Sequence, residues 1–350
     1  MKSEKFAAAH KKVQRSTFNV QRFLYLCSMK ATIYEHATDL PALPDGSYFH
    51  STALMELCER TPRHKPYMVV VTTEDGTVAA HMLAVVRYRR SLLPPYLYMH
   101  VRIYGEGEYH IDSINRQQTF GLMAEAITSR QRNRTLYIEF SHLSEKMFGY
   151  RELRHLGYFP VRWMSIHNSL HSRTPEERIT ERQLHRIENA IKRGASTKQV
   201  ETPEEFRQFS KLLRQHNWLK PRRYLPDDTF FQGMVEGGHC RLFITTVHDK
   251  VVGCSVCVYS GNDAYLWYSA SRRKSYAPYH PNAVTFWNTI KDAHTSGYDH
   301  IRFVDVGLPF RKNPYRDFIL RFGGKEVSTY RWFRISIRWV NRLASWLWRE

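Results

Sequence analysis

The sequence predicts an α/β (α+β) fold built from two tandem units, each a mixed twisted sheet flanked by helices. Three observations carry that expectation. The chain has 350 residues, 42% hydrophobic and 14% aromatic, enough to fill two cores. A weak internal repeat runs through it: Thr119-Phe120 recurs 166 residues later as Thr285-Phe286. At the same spacing Tyr137 matches Phe303, Glu139 matches Asp305, Leu156 matches Phe322, Gly157 matches Gly323 and Val161 matches Val327. Finally, the hydrophobic patterns around these positions follow one order in both halves.

Taken along the chain, residues 1–28 read as a basic leader, with Met29 as an alternative start. Thr52 to Arg60 has helical character. Tyr67–Thr73 and Thr77–Val86 alternate as strands around the turn Glu74-Asp75-Gly76, a hairpin signature. An amphipathic helix follows over about 115–130, then a short buried strand from Leu136 to Phe140, a basic helix ending at Gly157, and a last strand. The second half repeats this order. Pro203–His216 reads as helix, Arg241–Val247 and Val251–Tyr259 as a hairpin around His248-Asp249-Lys250, and Ala264–Ser271 as a third strand. A helix over 281–296, a strand from Ile301 to Val306, a helix ending at Gly323 and a final strand complete it. The polar, proline-containing stretch Ser172-Arg173-Thr174-Pro175-Glu176-Glu177 marks the join, and Glu181–Arg193 is a linking helix. The expected units are therefore 29–172 and 173–335, with a separate tail over 336–350.

Lys plus Arg number 52 and Asp plus Glu 33, a net charge of +19. Such a surplus suits an anionic partner: RNA, a phosphorylated substrate or an anionic membrane surface. The five cysteines are scattered and odd in number, which argues for a reducing, cytoplasmic setting and against a disulfide framework. Cys254-x-x-Cys257 lies in a strand-like segment with no second ligand pair, so it reads as core, and no metal site is expected. No stretch reaches the roughly 18 apolar residues of a membrane-spanning helix.

Several motifs of the second half, in their order, carry a family resemblance. They are Arg186-Ile187-Glu188-Asn189-Ala190-Ile191-Lys192-Arg193-Gly194, Leu225-Pro226-Asp227-Asp228-Thr229-Phe230-Phe231, the aromatic strand Ala264 to Ala270, Pro281-Asn282, Asp305-Val306-Gly307 and Phe318 to Gly324. The first half matches more loosely, through Phe49-His50-Ser51 and Tyr104-Gly105-Glu106-Gly107. Over about 300 residues the chain resembles the FemAB-like and BioF2-like acetyltransferases, a group that includes the Fem-type peptidyltransferases of the GNAT superfamily. The resemblance implies two GNAT-like domains, a substrate cleft between or beside them, and transfer of an acyl group to an amine. The implied donor is acyl-CoA or aminoacyl-tRNA. Two departures bear on the donor. A lysine that the Fem-type pattern associates with the tRNA end is Ile319 here, and the pyrophosphate loop Arg272-Arg273-Lys274-Ser275-Tyr276-Ala277 has Ser275 where many GNAT sequences have glycine.

Acyl transfer to an amine needs a proton acceptor, donors for the oxyanion and aligned substrates. Asp305, at the end of a strand, is the candidate for orienting or deprotonating the amine, and Tyr268 for donating in the cleft. Arg272, Arg273 and Tyr276 suit a phosphate, as does Asn282 at the start of a helix. Arg316 and Arg321 extend the positive charge, and Glu139 is a candidate for substrate contact in the first unit. The tail combines Trp332, Trp339, Trp346 and Trp348 with arginines and reads as a basic amphipathic helix able to lie on an anionic membrane, or else to pack on its own domain. The combined expectation is an acyl- or aminoacyltransferase acting on an amine-bearing, lipid- or nucleotide-linked cell-envelope or peptidoglycan-type precursor at the inner membrane face. The alternatives are a soluble acyl-CoA-dependent N-acetyltransferase of a small metabolite, and a non-catalytic pair that binds RNA, lipid or another anion.

Overall fold

A computed structural model describes residues 29–90, 94, 96–217, 224–304, 306–310 and 312–348. The first unit runs β1 (Met29–Tyr34), α1 (Thr52–Arg60), β2 (His64–Thr73), β3 (Val78–Arg90), β4 (Leu97–Tyr104), the short β5 (Glu108–Tyr109), α2 (Arg116–Gln131), β6 (Tyr137–Ser141), α3 (Tyr150–His155) and β7 (Phe159–Ser169). After α4 (Pro175–Arg178) and α5 (Glu181–Lys192) the second unit runs β8 (Ala195–Gln199), α6 (Pro203–Asn217), α7 (Asp228–Glu236), β9 (Cys240–Val247), β10 (Lys250–Ser260) and β11 (Asp263–Ser271). It continues through α8 (Pro281–Thr295), β12 (His300–Phe303), α9 (Pro314–Leu320) and β13 (Lys325–Ile335), and α10 (Arg338–Leu347) follows.

Local chemistry explains many boundaries. Ser51 caps α1 by accepting the Leu54 N–H at 3.1 Å, and Asn115 caps α2 through Gln118. His248 and Asp249 both adopt positive φ between Val247 and Lys250, the two-residue turn whose twist suits a hairpin. Gly157 and Gly323, equivalent in the repeat, both have positive φ just beyond α3 and α9. Cys254 and Cys257 are wholly buried on β10, and burial pushes both thiols up to about 12.

The thirteen strands form one sheet, in the order β1-β2-β3-β4-β6-β13-β7-β12-β11-β10-β9-β8, with β5 beside β3. Each half is thus completed by the other's last strand. β13 pairs with β6 of the first unit and β7 pairs with β12 of the second, and the two exchanged strands pair with each other. The repeat is therefore real in topology, but its last strands are crossed over. A leading strand, β1 or β8, also precedes each unit's helices and is additional to the elements expected from sequence.

Three apolar cores follow. One lies under α2, around Phe120, Phe140 and Trp332. One lies under α8 and α5, around Phe286, Phe303 and Phe322. The third joins the units, where α1, α6 and α7 bring Met55, Leu213, Phe230 and Phe231 against Val70, Leu83, Val256, Trp267 and Tyr268. Ser260 ties β10 to the first unit by donating to or accepting from Ser47 at 3.0 Å and by accepting the Tyr48 N–H at 2.9 Å.

Candidate active site

Both units contain one parallel strand pair, β4 with β6 and β11 with β12. In the second unit the ladder runs only from Asp263–His300 to Leu266–Phe303, while β11 continues to Ser271. The strands part there, and a cavity of about 630 Å³ opens beside Ser269–Ser271. The loop after β11 supplies Arg272, Arg273 and Lys274 to its wall. Asn282 and Thr285 come from the first turns of α8, and Asn313 and Tyr315 from the start of α9. No side chain caps α8, whose N-terminus is therefore open to an anion.

The first unit's matching position is closed. There the loop after β4 is Gly105-Glu106-Gly107, and Glu106 is buried. Its carboxylate accepts from the Ser144 N–H at 3.1 Å, from the Ser144 hydroxyl at 2.6 Å and from Arg116 at 3.0 Å. An internal carboxylate thus bridges the ends of β4 and β6 at the start of α2, where the second unit has three basic residues and open space.

The predicted residues divide accordingly. Arg272, Arg273 and Asn282 converge on the cavity. Tyr276 lies beside it, packed on the second unit's core near Tyr279. Tyr268 is on the other face of β11, buried between the units edge-on to Phe231, with its hydroxyl donating to the Tyr224 carbonyl at 3.4 Å. Arg316 braces the loop after β12 by donating to the Leu308 carbonyl and pairing with Glu326 at 3.1 Å. Arg321 is exposed at the end of α9, away from the cavity wall. Glu139 lies in the first unit, buried between Arg102 at 3.1 Å and Arg331 at 3.5 Å, the latter reaching across from β13. Asp305 lies outside the described residues. Sequence reasoning missed His216, Asn313 and Tyr315 in the cavity wall. The Asn313-Pro314 dipeptide was the available signal, since it starts a helix whose first N–H groups Asn313 caps. Among the described residues no group of three or more His, Cys, Asp or Glu side chains is placed to hold a metal.

Residues 181–312 match the family model described as an acetyltransferase (GNAT) domain. The second half of the chain is therefore similar to GNAT acetyltransferase domains. The matched span holds β11, the basic loop, α8 and β12 and so most of the cavity wall, while Asn313, Pro314, Tyr315 and Phe318 lie beyond it. No curated protein matches the chain in sequence. Among solved structures, FemX superposes with a TM-score of 0.60 at 12% identity, covering 90% of this chain and 100% of that one. The C-terminal domain of a putative lysylphosphatidylglycerol synthetase from Agrobacterium fabrum does so at 0.56 and 9% identity, covering 87% and 92%. A tandem GNAT protein from the clavulanic acid biosynthesis pathway gives 0.56 and 11% identity, covering 88% and 98%. These likenesses establish the tandem GNAT fold for nearly the whole chain.

The tail helix has an unusual orientation. α10 turns its small and polar side to the protein: Asn341 accepts from the Ile335 N–H at 2.8 Å and donates to the Gly157 carbonyl at 2.9 Å, and Ser345 accepts from Arg154. Its apolar side faces outward, with Trp339 70%, Trp346 61%, Leu347 64% and Leu343 50% exposed. Trp332, grouped with this helix in the sequence, belongs instead to β13 and is fully buried. At the far end of α10, Trp348 meets Phe310, itself 67% exposed, in the loop that leads to Asn313 and the cavity. No helix among the described residues is long and apolar enough to cross a membrane.

Proposed function

We propose that the chain transfers an acyl group from a CoA thioester, held in the second unit's cavity, to an amine on an acceptor presented at the inner face of a membrane. The observation that carries this reading is the contrast between the ends of the two parallel strand pairs. One is sealed by Glu106, and the other is open and lined by Arg272, Arg273 and Lys274 at an uncapped helix N-terminus. That combination suits a pyrophosphate. Ile319 is wholly buried in the core, so that position offers no charge to an aminoacyl-tRNA. In the reaction the amine nitrogen attacks the thioester carbonyl, the N–C bond forms, the C–S bond breaks and CoA leaves as the thiol. Asp305 is the residue we assign to take the proton from the amine.

The membrane setting rests on α10, whose outward apolar face is flanked by Arg338 and Arg342. A neighbour in fold whose name specifies an aminoacylated phospholipid supports an envelope acceptor. Calorimetry at a fixed salt of about 150 mM tests the donor, because a strongly basic protein holds any RNA at low salt. Acetyl-CoA or a longer acyl-CoA should bind with micromolar affinity, at least tenfold more weakly in the Arg272→Ala/Arg273→Ala variant. Binding that instead requires the aminoacyl group on tRNA would overturn the donor assignment.

A further inference from the structure

Strand direction brings several separate segments to one edge of the sheet. β13 ends there, with Phe333 opposite Phe159 at the start of β7, and α10 follows it. β6 is antiparallel to β13 and begins at the same edge, with Tyr137 opposite Ile335. β4 is parallel to β6, so the end of β3 and the start of β4, where Arg90 pairs with Leu97, belong to this edge too. β6 alone separates β4 from β13, which sets their ends about 10 Å apart. The ends of β11 and β12, where the second unit's cavity opens, point the same way, because β12 is antiparallel to β7.

The side chains on this edge share one chemistry. Tyr96 and Leu97 are 66% and 63% exposed at the start of β4, and Ile337 is 46% exposed just before α10, whose apolar side also faces outward. Arg90, Arg132, Arg134, Arg338 and Arg342 are exposed among them. Residues 84–104, 126–138 and 327–348, which supply this edge, contain no Asp or Glu. Glu35, which follows β1 at the same edge, is held between Lys65 and Arg130. Burial first, and then the charges of Arg132 and Arg338, lower the pKa of the Arg334 guanidinium, so the turn between α2 and β6 and the start of α10 share one positive field. Aromatic and aliphatic side chains left in water beside arginines suit an anionic bilayer, where rings sit at headgroup depth and guanidinium groups meet phosphates. An RNA surface would account for the arginines but not for Leu97, Ile337 or Leu343.

We propose that this whole edge, and not α10 alone, docks on an anionic lipid bilayer, with the β3–β4 end and the α2–β6 turn as a second contact beside the helix. The inference deepens the proposed function and rests on its membrane setting. One amphipathic helix fixes how deep a protein sits but leaves it free to roll about the helix axis. A second contact to one side removes that freedom. The molecule is then held with the mouth of the cavity turned toward the headgroups, where an amine-bearing acceptor would be presented.

The test uses the full chain and sedimentation at fixed salt with vesicles of phosphatidylcholine, with and without phosphatidylglycerol. Arg90→Gln/Leu97→Ser and Arg132→Gln/Arg134→Gln leave α10 intact. Each should weaken binding to the phosphatidylglycerol vesicles at least about tenfold, since every arginine lost at an anionic surface removes roughly a fivefold factor. Acetyl-CoA binding and melting temperature should stay as in the parent. Binding that both variants retain while Trp339→Ser/Trp346→Ser loses it would leave α10 as the sole contact and overturn the inference without touching the membrane setting. Variants that lose binding to tRNA at the same salt but keep it to vesicles would overturn it in favour of a nucleic-acid surface. Should the variants not fold, Leu97→Cys in a Cys27→Ser chain, labelled with an environment-sensitive fluorophore, carries the test. Its emission should shift to the blue on phosphatidylglycerol vesicles, and that of Glu74→Cys at the opposite end of the β2–β3 hairpin should not. No shift at residue 97, or equal shifts at both, would overturn the inference. A parent chain that binds no vesicle would remove the membrane setting as well, while acetyl-CoA titration reads the donor assignment separately.

Discussion

Gly253 shows how closely the second unit's cavity is tied to single atoms. A Cβ built on it would lie 2.4 Å from the Thr285 hydroxyl and 3.2 Å from the Pro281 carbonyl. That hydroxyl donates to the Pro281 carbonyl at 2.7 Å and accepts from the Thr245 hydroxyl at 2.5 Å, fixing the first turn of α8 against β9 and β10. Asn282 and Thr285, which line the cavity, ride on this turn. Gly253→Ala should therefore destabilise the fold by about 1–3 kcal/mol, the usual range for overpacking, and weaken acyl-CoA binding as the turn shifts. Thermal unfolding and donor titration of Gly253→Ala, alone and with Thr285→Ala, check both effects, and the second substitution should restore much of each. At this scale, charge and loop chemistry in the sequence singled out Arg272, Arg273 and Asn282, which the fold brings to one cavity. It was not readable for Tyr268, because alternation along a strand gives two faces without saying which one meets the donor and which the partner unit.

Among elements, α10 departs from the usual rule that an amphipathic helix buries its apolar side. One hydrogen bond accepted and one donated by Asn341, with one accepted by Ser345, hold it in the reverse sense. Trp339→Ser/Trp346→Ser removes exposed rings only, so the melting temperature should hold. Sedimentation with vesicles rich in phosphatidylglycerol should show binding reduced at least tenfold. Raised salt should weaken the parent's binding too, through Arg338 and Arg342. Unchanged sedimentation would mean that these rings serve another surface. The hairpins and long helices were legible because alternation, turn residues and caps agree in them. β1 and β8 were not. β8 reads Ala-Ser-Thr-Lys-Gln at the open edge of the sheet, and an edge strand with a solvated face shows no apolar alternation. The crossing of β7 and β13 left no mark either, since both sequences suit a central strand in whichever half they join.

Across the whole molecule, burial sets the response to acid. Burial, reinforced for His64 and His100 by Arg87 and for His50 and His81 by a neighbouring histidine, pushes four imidazoles down, His100 to about 2, His50 and His64 to about 3 and His81 to about 4. In the unfolded chain they titrate near 6.5. Below that value the unfolded state binds more protons than the native one, so stability falls as pH falls, and it is fully present above the unfolded value. Each histidine contributes a slope of about 1.4 kcal/mol per pH unit, or about 5 kcal/mol per unit for four, between roughly pH 6 and pH 4. Against a typical total of about 5–15 kcal/mol, unfolding should set in near pH 5. Urea midpoints measured from pH 7.5 to pH 4.5 should drop steeply below pH 6, and a flat profile to pH 5 would contradict the buried, neutral state of these side chains.

The crossed last strands also constrain how the molecule is made. β6 finishes well before its neighbour in the sheet, β13, so Phe140 meets Trp332 only once β13 has been made. Until then the nascent first half has an unfilled sheet edge at β6, and β7 is held for a partner not yet translated. The two halves therefore close together only after β13 has been made, and during elongation before it that open edge is a natural place for a chaperone to hold.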